Sequence, residues 1–132
     1  MAFLGDTIAA VEARDPSDIP VPAPVLDAIA SAPSVLLIGH IGPDGDCVGA
    51  TLALARGLAA MGKRVDVCID DTMSGFLRRI DTERTIRSAA DLVGGAWDTV
   101  ALVDVADHDR IGDANARLLG EVSHLVIIDH HR

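Results

Sequence analysis

Four short apolar runs, separated by stretches of helical length, constrain the fold of this chain more than any other feature. The runs lie at 35–39, 64–69, 99–103 and 124–128, and each is rich in Val, Ile and Leu. As a group they are apolar on both faces rather than alternating, which is typical of parallel strands covered on both faces. The sequence therefore predicts an α/β fold with a doubly wound, mainly parallel sheet and helices on both faces.

The segments between these runs predict the helices. The longest, 47–61, is apolar nearly all round and is closed by Gly62, so we expect it to pack deeply on the sheet. Shorter helices are expected at 74–80 and near 113–119. We expect residues 34–132 to form one domain of the α/β type.

Residues 1–33 are predicted to be an amino-terminal arm, because five of the six prolines fall there. A short helix is expected at about 5–14. A second, at 25–32, would follow Pro24, with Leu26 and Ile29 facing inward.

Composition excludes several classes of function. The 132 residues include two Phe, one Trp and no Tyr, so no stacking platform for bases is indicated. A net charge of −9 argues against binding to duplex nucleic acid, which depends on Lys and Arg. No run reaches the roughly 18 apolar residues of a membrane span. Two cysteines without metal-ligand spacing, Cys47 and Cys68, favour reduced thiols. We expect a cytoplasmic protein with no membrane or duplex partner.

Acids and histidines follow three of the four predicted strands. They are His40, Asp44 and Asp46 after the first, Asp104 after the third, and Asp129, His130 and His131 after the fourth. The carboxyl ends of parallel strands meet at one edge of the sheet, where open α/β folds bind ligands. Carboxylates gathered there repel one another unless a cation lies among them. The pattern predicts a site for divalent metal.

The types of ligand restrict which metal can bind and which reaction it can support. Carboxylate and imidazole without thiolate suit Mn²⁺ or a similar ion, and Mg²⁺ or another divalent ion is an alternative. The ligands outnumber what one ion takes from protein, which favours two ions with a bridging carboxylate, an arrangement suited to phosphoester hydrolysis. Pro43 and Gly45 let the preceding loop turn sharply, so the next helix begins close to the metals and its N–H groups can hold a phosphate.

These residues, taken together, resemble a known family. The set His40-x3-Asp44-x-Asp46, then Val-Asp-Val-Ala-Asp-His-Asp-Arg with Asp104, and then Asp129-His130-His131 is similar to the motifs of the DHH phosphoesterases. Among them the chain looks most like the bacterial oligoribonucleases that also act on 3′-phosphoadenosine 5′-phosphate. The resemblance covers roughly residues 34–132.

The resemblance implies a role for each position. His40 and Asp44 would hold one metal, Asp46 and His130 the other, and Asp104 would bridge them. Catalytic roles fall to two further residues, Asp129, which would orient the neighbouring ligands, and His131, which would also bind the substrate phosphate. The nucleophile would be water activated by both metals. Asp107 and Arg110 would support the site. From their spacing alone they could also pair with each other locally, which would brace the loop that carries Asp104.

The chain also departs from the family pattern. The family has a further Asp after Asp-His-His that completes the second metal's shell, and a carboxyl-terminal domain that grips the substrate. Neither occurs before Arg132, so we expect residues 34–132 to be a partial catalytic domain and the chain to be the amino-terminal part of a longer enzyme. Ala50 stands where Ser is common, a change expected to be benign.

The sequence thus predicts a Mn²⁺-dependent phosphoesterase acting on short single-stranded RNA or small nucleotide phosphates. Two alternatives stay open: a non-catalytic metal-binding module, and an inorganic pyrophosphatase of the same superfamily. A homodimer also stays open.

Several of these residues could have purely structural roles instead of functional ones. His40 and Asp44 could cap the following helix. The basic stretch of Arg78, Arg79, Arg84 and Arg87 could touch a nucleotide, but a solvated helix face with Asp81 and Glu83 as ionic partners is favoured.

Overall fold

A computed structural model describes residues 20–105, 107–120 and 122–131. The strands form one five-stranded sheet in which every pair is parallel, in the order β3-β2-β1-β4-β5. Their bounds are β1 Ser34–Ile38, β2 Arg64–Cys68, β3 Ile86–Arg87, β4 Thr99–Val103 and β5 His124–Ile128. The predicted parallel sheet is confirmed, and β3 is an additional short edge strand that the sequence pattern did not indicate.

Helices cover both faces of this sheet. They are α1 Ala23–Ser31, α2 Gly45–Ala60, α3 Gly75–Ile80, α4 Ala89–Leu92 and α5 Asp113–Ala116, with a 3-10 turn at His108–Arg110. The helix expected near 113–119 is thus shorter than predicted, and α4 was not predicted. The helix expected at 5–14 lies outside the described residues. None of the described helices is long and apolar enough to cross a membrane.

One face of the sheet is packed by α1 and α2. Ala28 and Ala32 from the α1 region, and Ala55 and Leu58 from α2, meet Val35 and its neighbours on the strands. Leu26, which was predicted to face inward, is 53% exposed, and Ala28 takes the inward position instead. Small side chains let this short helix lie close to the sheet, and the carbonyl of Ala28 accepts a hydrogen bond from Thr99 Oγ1 at 3.0 Å.

The opposite face is packed by α4 and α5 around Trp97. The indole buries against Leu36, Leu92 and Val100, while its Nε1–H donates to Asp66 Oδ2 at 2.9 Å. A polar pair also lies in this core, since Cys68 Sγ contacts Asn115 Oδ1 at 3.0 Å. Asn115 Nδ2 donates to the Ile111 carbonyl, so the buried amide is satisfied on both sides.

The burial of α2 and of β5 was predicted only in part. Helix α2 packs on the sheet as expected, but it buries only one stripe, at Cys47, Val48, Thr51, Leu52, Ala55 and Leu58. Its outer side carries Ala and Gly, which raise the apolar content without needing burial. Strand β5 buries only Val126, and Leu125 and Ile127 are about half exposed, because β5 lies at the edge of the sheet. The side chains of β5 are therefore apolar on both faces of the sheet although the described part of the protein does not cover both faces.

The strand order reverses beside β1. The chain passes from β1 outward to β2 and β3, and then returns to β4 on the other side of β1. In open α/β sheets ligands bind at such a switch point, outside the carboxyl ends of the strands. The loops after β1 and β4 diverge here, and they carry His40 and Asp104.

Candidate metal centre

Asp104 lies at the centre of the predicted ligand group. Its Oδ2 is 3.3 Å from His40 Nε2, and its Oδ1 is 3.2 Å from His130 Nε2. His131 Nδ1 is 3.7 Å from the same Oδ1. Residues that follow three different strands thus meet at one carboxylate.

The environment of Asp104 is costly for the fold. The residue is 5% exposed, and its Oδ1 has no hydrogen-bond partner among the described residues. The His130 ring at 3.2 Å is not aligned to donate to it, and the His131 ring at 3.7 Å is too far away. An unsatisfied buried acceptor costs on the order of 1–3 kcal/mol. Its backbone also has φ +61, in the left-handed region that non-glycine residues rarely adopt, which costs a similar amount, of order 1–3 kcal/mol. Two unfavourable features at one residue indicate that the position serves a ligand rather than stability.

The buried histidine is oriented by its own loop. His40 is 1% exposed, and its Nδ1 lies 2.7 Å from the carbonyl of Ile41. A carbonyl can only accept, so Nδ1 donates in this contact and Nε2 is the ring nitrogen directed at the site. Nε2 faces Asp104 and, at 3.8 Å, Asp44 Oδ1. Fixing the far ring nitrogen in this way is how proteins orient imidazole ligands of metals.

Arg110 lies against this histidine and not against Asp107. Its Nη2 lies 3.1 Å from His40 Nδ1, which is a packing contact and not a hydrogen bond because both nitrogens are donors here. The Arg110 carbonyl accepts from the Ile41 N–H at 2.9 Å. Asp107 Oδ1 instead accepts from the N–H of Asp109 and begins the 3-10 turn. The predicted ion pair between Asp107 and Arg110 is therefore wrong, because the turn directs Arg110 toward the His40 loop.

Asp44 combines two roles. Its Oδ1 accepts from the N–H of Cys47 at 2.9 Å and caps α2, as the structural alternative predicted. The Cys47 N–H, with smaller contributions from the charges of His40 and Arg110, lowers the pKa of Asp44 below its usual value. The carboxylate therefore stays ionised, and the cap fixes its place beside His40.

The remaining ligands form an exposed group. His130 Nε2 is 3.0 Å from Asp46 Oδ2, and the two side chains are 70% and 60% exposed. Asp46 stands in the first turn of α2, whereas His130 follows β5. Their contact ties the edge strand to the helix on the solvent side of Asp104.

Asp129 and His131 form a pair beside that group. Asp129 Oδ1 is 2.6 Å from His131 Nδ1, and Oδ2 accepts from the His131 backbone N–H at 3.0 Å. The hydrogen bond to Asp129 raises the pKa of His131, and the negative charge of Asp104 adds to the shift. The pair therefore holds a ring that can carry a proton and donate to an anion.

Asp71 also contributes to the site, although the sequence reasoning missed it. Its Oδ2 accepts from the N–H of Gly42 at 2.6 Å, and its Oδ1 from that of Thr72 at 2.7 Å. These bonds lower the pKa of Asp71. Gly42 has φ +60, so Asp71 braces the turn between His40 and Asp44. The signal was present in the sequence, because Asp70 and Asp71 follow the second predicted strand as the other acids follow theirs.

Cys47 is a third buried group near the centre. Its Sγ lies within 4.8 Å of ligand atoms of His40 and Asp104. Desolvation raises the pKa of Cys47 to about 11, so the thiol is neutral near pH 7 and a poor metal ligand. The donors left are carboxylate oxygens and imidazole nitrogens.

A divalent ion fits these residues. The unsatisfied Oδ1 of Asp104 needs a positive partner, and the imidazole and carboxylate donors around it suit a metal of borderline hardness. The structure brings together His40, Asp44, Asp46, Asp104, His130 and His131, all of them predicted site residues. Their assignment to two separate ions stays a prediction.

Residues 34–132 match the DHH family, N-terminal domain. The match spans the sheet and every residue of the metal centre, so the chain belongs to the DHH family and is a phosphoesterase-like domain. Members of this family typically use divalent metals.

One solved structure supports the fold. An exopolyphosphatase-related protein from Bacteroides fragilis is 23% identical and superposes with a TM-score of 0.71. The match covers 80% of this chain and 33% of that protein, so the chain spans about a third of the length of this relative.

Proposed function

We propose that this chain carries the metal-binding part of a Mn²⁺-dependent phosphoesterase that acts on short single-stranded RNA or on small nucleotide phosphates such as 3′-phosphoadenosine 5′-phosphate. The observation that carries the proposal is the buried carboxylate of Asp104, with one oxygen unsatisfied and imidazoles on two sides. Placed at the switch point of a doubly wound sheet, this group is built to receive cations and, through them, an anion.

The residues divide into two sets around Asp104. His40 and Asp44 would hold a divalent ion on the buried side, and Asp46 and His130 on the exposed side. Such ions, when bound, neutralise phosphate charge and lower the pKa of water toward neutrality. The protein supplies their orientation through the Ile41 carbonyl and the cap on α2.

Two further features act on the phosphate itself. His131, held by Asp129, whose hydrogen bond raises the pKa of the ring, would donate a hydrogen bond to a phosphate oxygen or to the leaving group. Helix α2 begins at Gly45, between Asp44 and Asp46, and directs its positive end to the same place. Both features stabilise negative charge as the phosphorus–oxygen bond breaks.

The cleft beside the centre limits what it can enclose. It has a volume of about 190 Å³ and is lined by Asp46, Ala50, Asp104 and His130 among others. Pockets that enclose whole ligands are typically about 300–1,000 Å³. The cleft therefore suits a phosphate group, with the rest of the nucleotide outside it. Ala50, where the family pattern has Ser, lines this cleft without a polar group.

A second candidate is the hydrolysis of a phosphoanhydride. The name of the Bacteroides fragilis relative refers to polyphosphate, and the terminal phosphate of such a chain would use the same ligand residues. This candidate shares every metal-centre residue with the first and differs only in the leaving group.

Hydrolysis assays in Mn²⁺ test the proposal. Compare a ribodinucleotide, 3′-phosphoadenosine 5′-phosphate and pyrophosphate as substrates for the protein and for its Asp104→Asn variant. We expect turnover of a nucleotide substrate that the variant loses. Preferential turnover of pyrophosphate would support the second candidate. Equal turnover by the variant would exclude the mechanism, and tight Mn²⁺ binding without turnover of any substrate would leave a metal-binding module.

A further inference from the structure

A large cavity lies at the opposite edge of the sheet, beside β3. It has a volume of about 720 Å³, nearly four times that of the cleft at the metal centre. Arg78, Arg79 and Arg84 line it, together with Asp81, Met73 and Ile86. Strands β2 and β1 separate β3 from β4, so at about 4.8 Å per strand the cavity is on the order of 10–15 Å from the metal centre.

The three arginines are not neutralised by neighbouring acids. Within the described part of the chain, no carboxylate oxygen lies within 4 Å of their guanidinium nitrogens. Arg78 is oriented by its Nε–H, which donates to the Met73 carbonyl at 3.2 Å and leaves its two terminal amino groups available.

The acids expected to pair with these arginines are engaged elsewhere. Asp81 accepts from the N–H of Thr85 at 2.8 Å and from that of Ile86 at 2.9 Å, and so holds the turn before β3. Glu83 lies 3.9 Å from Arg56, on α2. The predicted solvent exposure of these arginines is confirmed, but Asp81 and Glu83 are not their ionic partners, because both acids serve other contacts.

The local charge opposes that of the whole protein. Three guanidinium groups and one carboxylate give the cavity a formal charge of 3 − 1 = +2, in a chain of net charge −9. Arginine binds phosphate with paired N–H groups in a planar fork, and so gives geometry as well as charge. A positive cavity in an acidic protein selects for small anions rather than for a long polyanion, which the remaining surface would repel.

The volume of the cavity and the residues that line it restrict the class of ligand further. A volume of about 720 Å³ lies within the roughly 300–1,000 Å³ of pockets that hold small organic molecules. The half-buried Met73 and Ile86 add apolar surface, which a base or another apolar group can cover. A sulfur-containing side chain also packs well on an aromatic ring.

We propose that this cavity is a second anion site that binds the phosphate group of a small molecule, either inorganic phosphate or a nucleotide. It is distinct from the metal centre and does not require divalent metal. The proposal does not depend on the proposed function, because none of the cavity residues belongs to the metal-ligand set.

Titration in a buffer containing EDTA, followed by amide NMR, tests this proposal. The probes are adenosine 5′-monophosphate, inorganic phosphate and adenosine. The test variant is Arg79→Gln/Arg84→Gln, which removes two charges but keeps long polar side chains. Arg117→Gln is the matched control, because Arg117 is an exposed arginine outside the cavity. Dispersed amide spectra of each variant establish that it is folded.

We expect adenosine monophosphate to shift amides between residues 73 and 86. Affinity should fall at least tenfold in the double variant and by less than twofold in the control. Equal binding of inorganic phosphate would identify phosphate itself as the ligand, and tighter binding of the nucleotide would identify a nucleotide. Three results would overturn the proposal: no shifts at millimolar probe, shifts confined to the His40 and Asp104 loops, or adenosine binding as tightly as its monophosphate.

Discussion

The two halves of the metal centre differ sharply in how the fold holds them. His40 and Asp104 are 1% and 5% exposed and follow central strands, whereas Asp46 and His130 are 60% and 70% exposed. The buried half is fixed by hydrogen bonds to loops on both sides. The exposed half depends on one contact between the first turn of α2 and the end of the edge strand β5.

This difference indicates two levels of preorganisation within one site. In the buried half, His40 and Asp104 are already held in place, and Asp44, although 63% exposed, is fixed by its cap on α2, so these ligands lose little entropy on binding. The exposed side chains must give up rotamer freedom when they bind an ion or a phosphate. We therefore expect a tighter site at His40 and a weaker one at His130, both limited by the shared Asp104.

Loss of the shared carboxylate should have the largest effect. Asp104→Asn removes the charge that both halves use, and we expect Mn²⁺ affinity to fall by at least about 100-fold at each site, beyond the usual cost of losing a supporting residue. Isothermal titration with Mn²⁺ measures this effect. Asp109→Asn is the control, because Asp109 is an exposed acid in the adjacent 3-10 turn.

The same substitution should raise the stability of the metal-free protein. It replaces a buried carboxylate, unsatisfied at Oδ1, with a neutral amide, and Asn also tolerates the positive φ at this position. We expect about 1 kcal/mol more free energy of unfolding, measured by urea denaturation in EDTA. A less stable variant would show that the charge of Asp104 supports the fold through its histidine neighbours.

Matched substitutions of the two histidines test the difference between the halves. His40→Ala should lower Mn²⁺ affinity and also cost about 2–4 kcal/mol of stability, because it empties a buried position. His130→Ala should lower affinity for one ion while changing stability by less than about 0.5 kcal/mol, as at exposed sites generally. Equal stability losses would mean that the halves are not held differently.

The brace on the Gly42 turn should have an intermediate effect. Asp71→Asn weakens the acceptor that positions the loop between His40 and Asp44, so we expect Mn²⁺ affinity to fall by about tenfold, as for other residues that orient ligands. Asp70→Asn is the matched control, because the neighbouring carboxylate also accepts a backbone N–H, that of Ala89, away from the turn. An equal effect of both substitutions would remove Asp71 from the site.

The sequence predicted the parallel sheet and the convergence of ligands because both depend on strand ends. In a parallel sheet the carboxyl ends of all strands lie at the same edge. The acids that follow 35–39, 99–103 and 124–128 are therefore close together, and Asp104 lies among them in the structure. The burial of individual residues did not follow in the same way. The burial of a residue depends on the order of the strands in the sheet. The apolar sequence of β5 does not indicate that this strand lies at the edge.

Side-chain partners were the least predictable feature. Arg110 was paired with Asp107 from proximity in the chain, yet the 3-10 turn directs it to His40, which is 70 residues away. Asp81 was expected to pair with arginine, yet it caps backbone groups before β3, a strand too short to give a periodic signal. In both cases unsatisfied N–H groups, which the sequence pattern does not show, decided where the carboxylate lies.

The two buried thiols offer a test with a smaller effect. Cys47 borders the buried half and Cys68 lies on the other face of the sheet, and desolvation raises their pKa values to about 11 and about 12. At pH 8 we expect both to react with iodoacetamide far more slowly in the folded protein than in urea. Rapid alkylation of Cys47 alone would mean that the buried half opens readily to solvent.

The same pKa shifts set the sign of an alkaline effect on stability. Below pH 9, the ordinary thiol pKa, both states hold the proton and stability is unaffected. Above it the unfolded thiols ionise while the folded ones do not, so each should cost up to about 1.4 kcal/mol per pH unit. The chain has no Tyr and a single Lys, so few other groups titrate in this range. Cys68→Ala should make urea unfolding less sensitive to pH between 9 and 11, and an unchanged slope would contradict the burial of Cys68 as a neutral thiol.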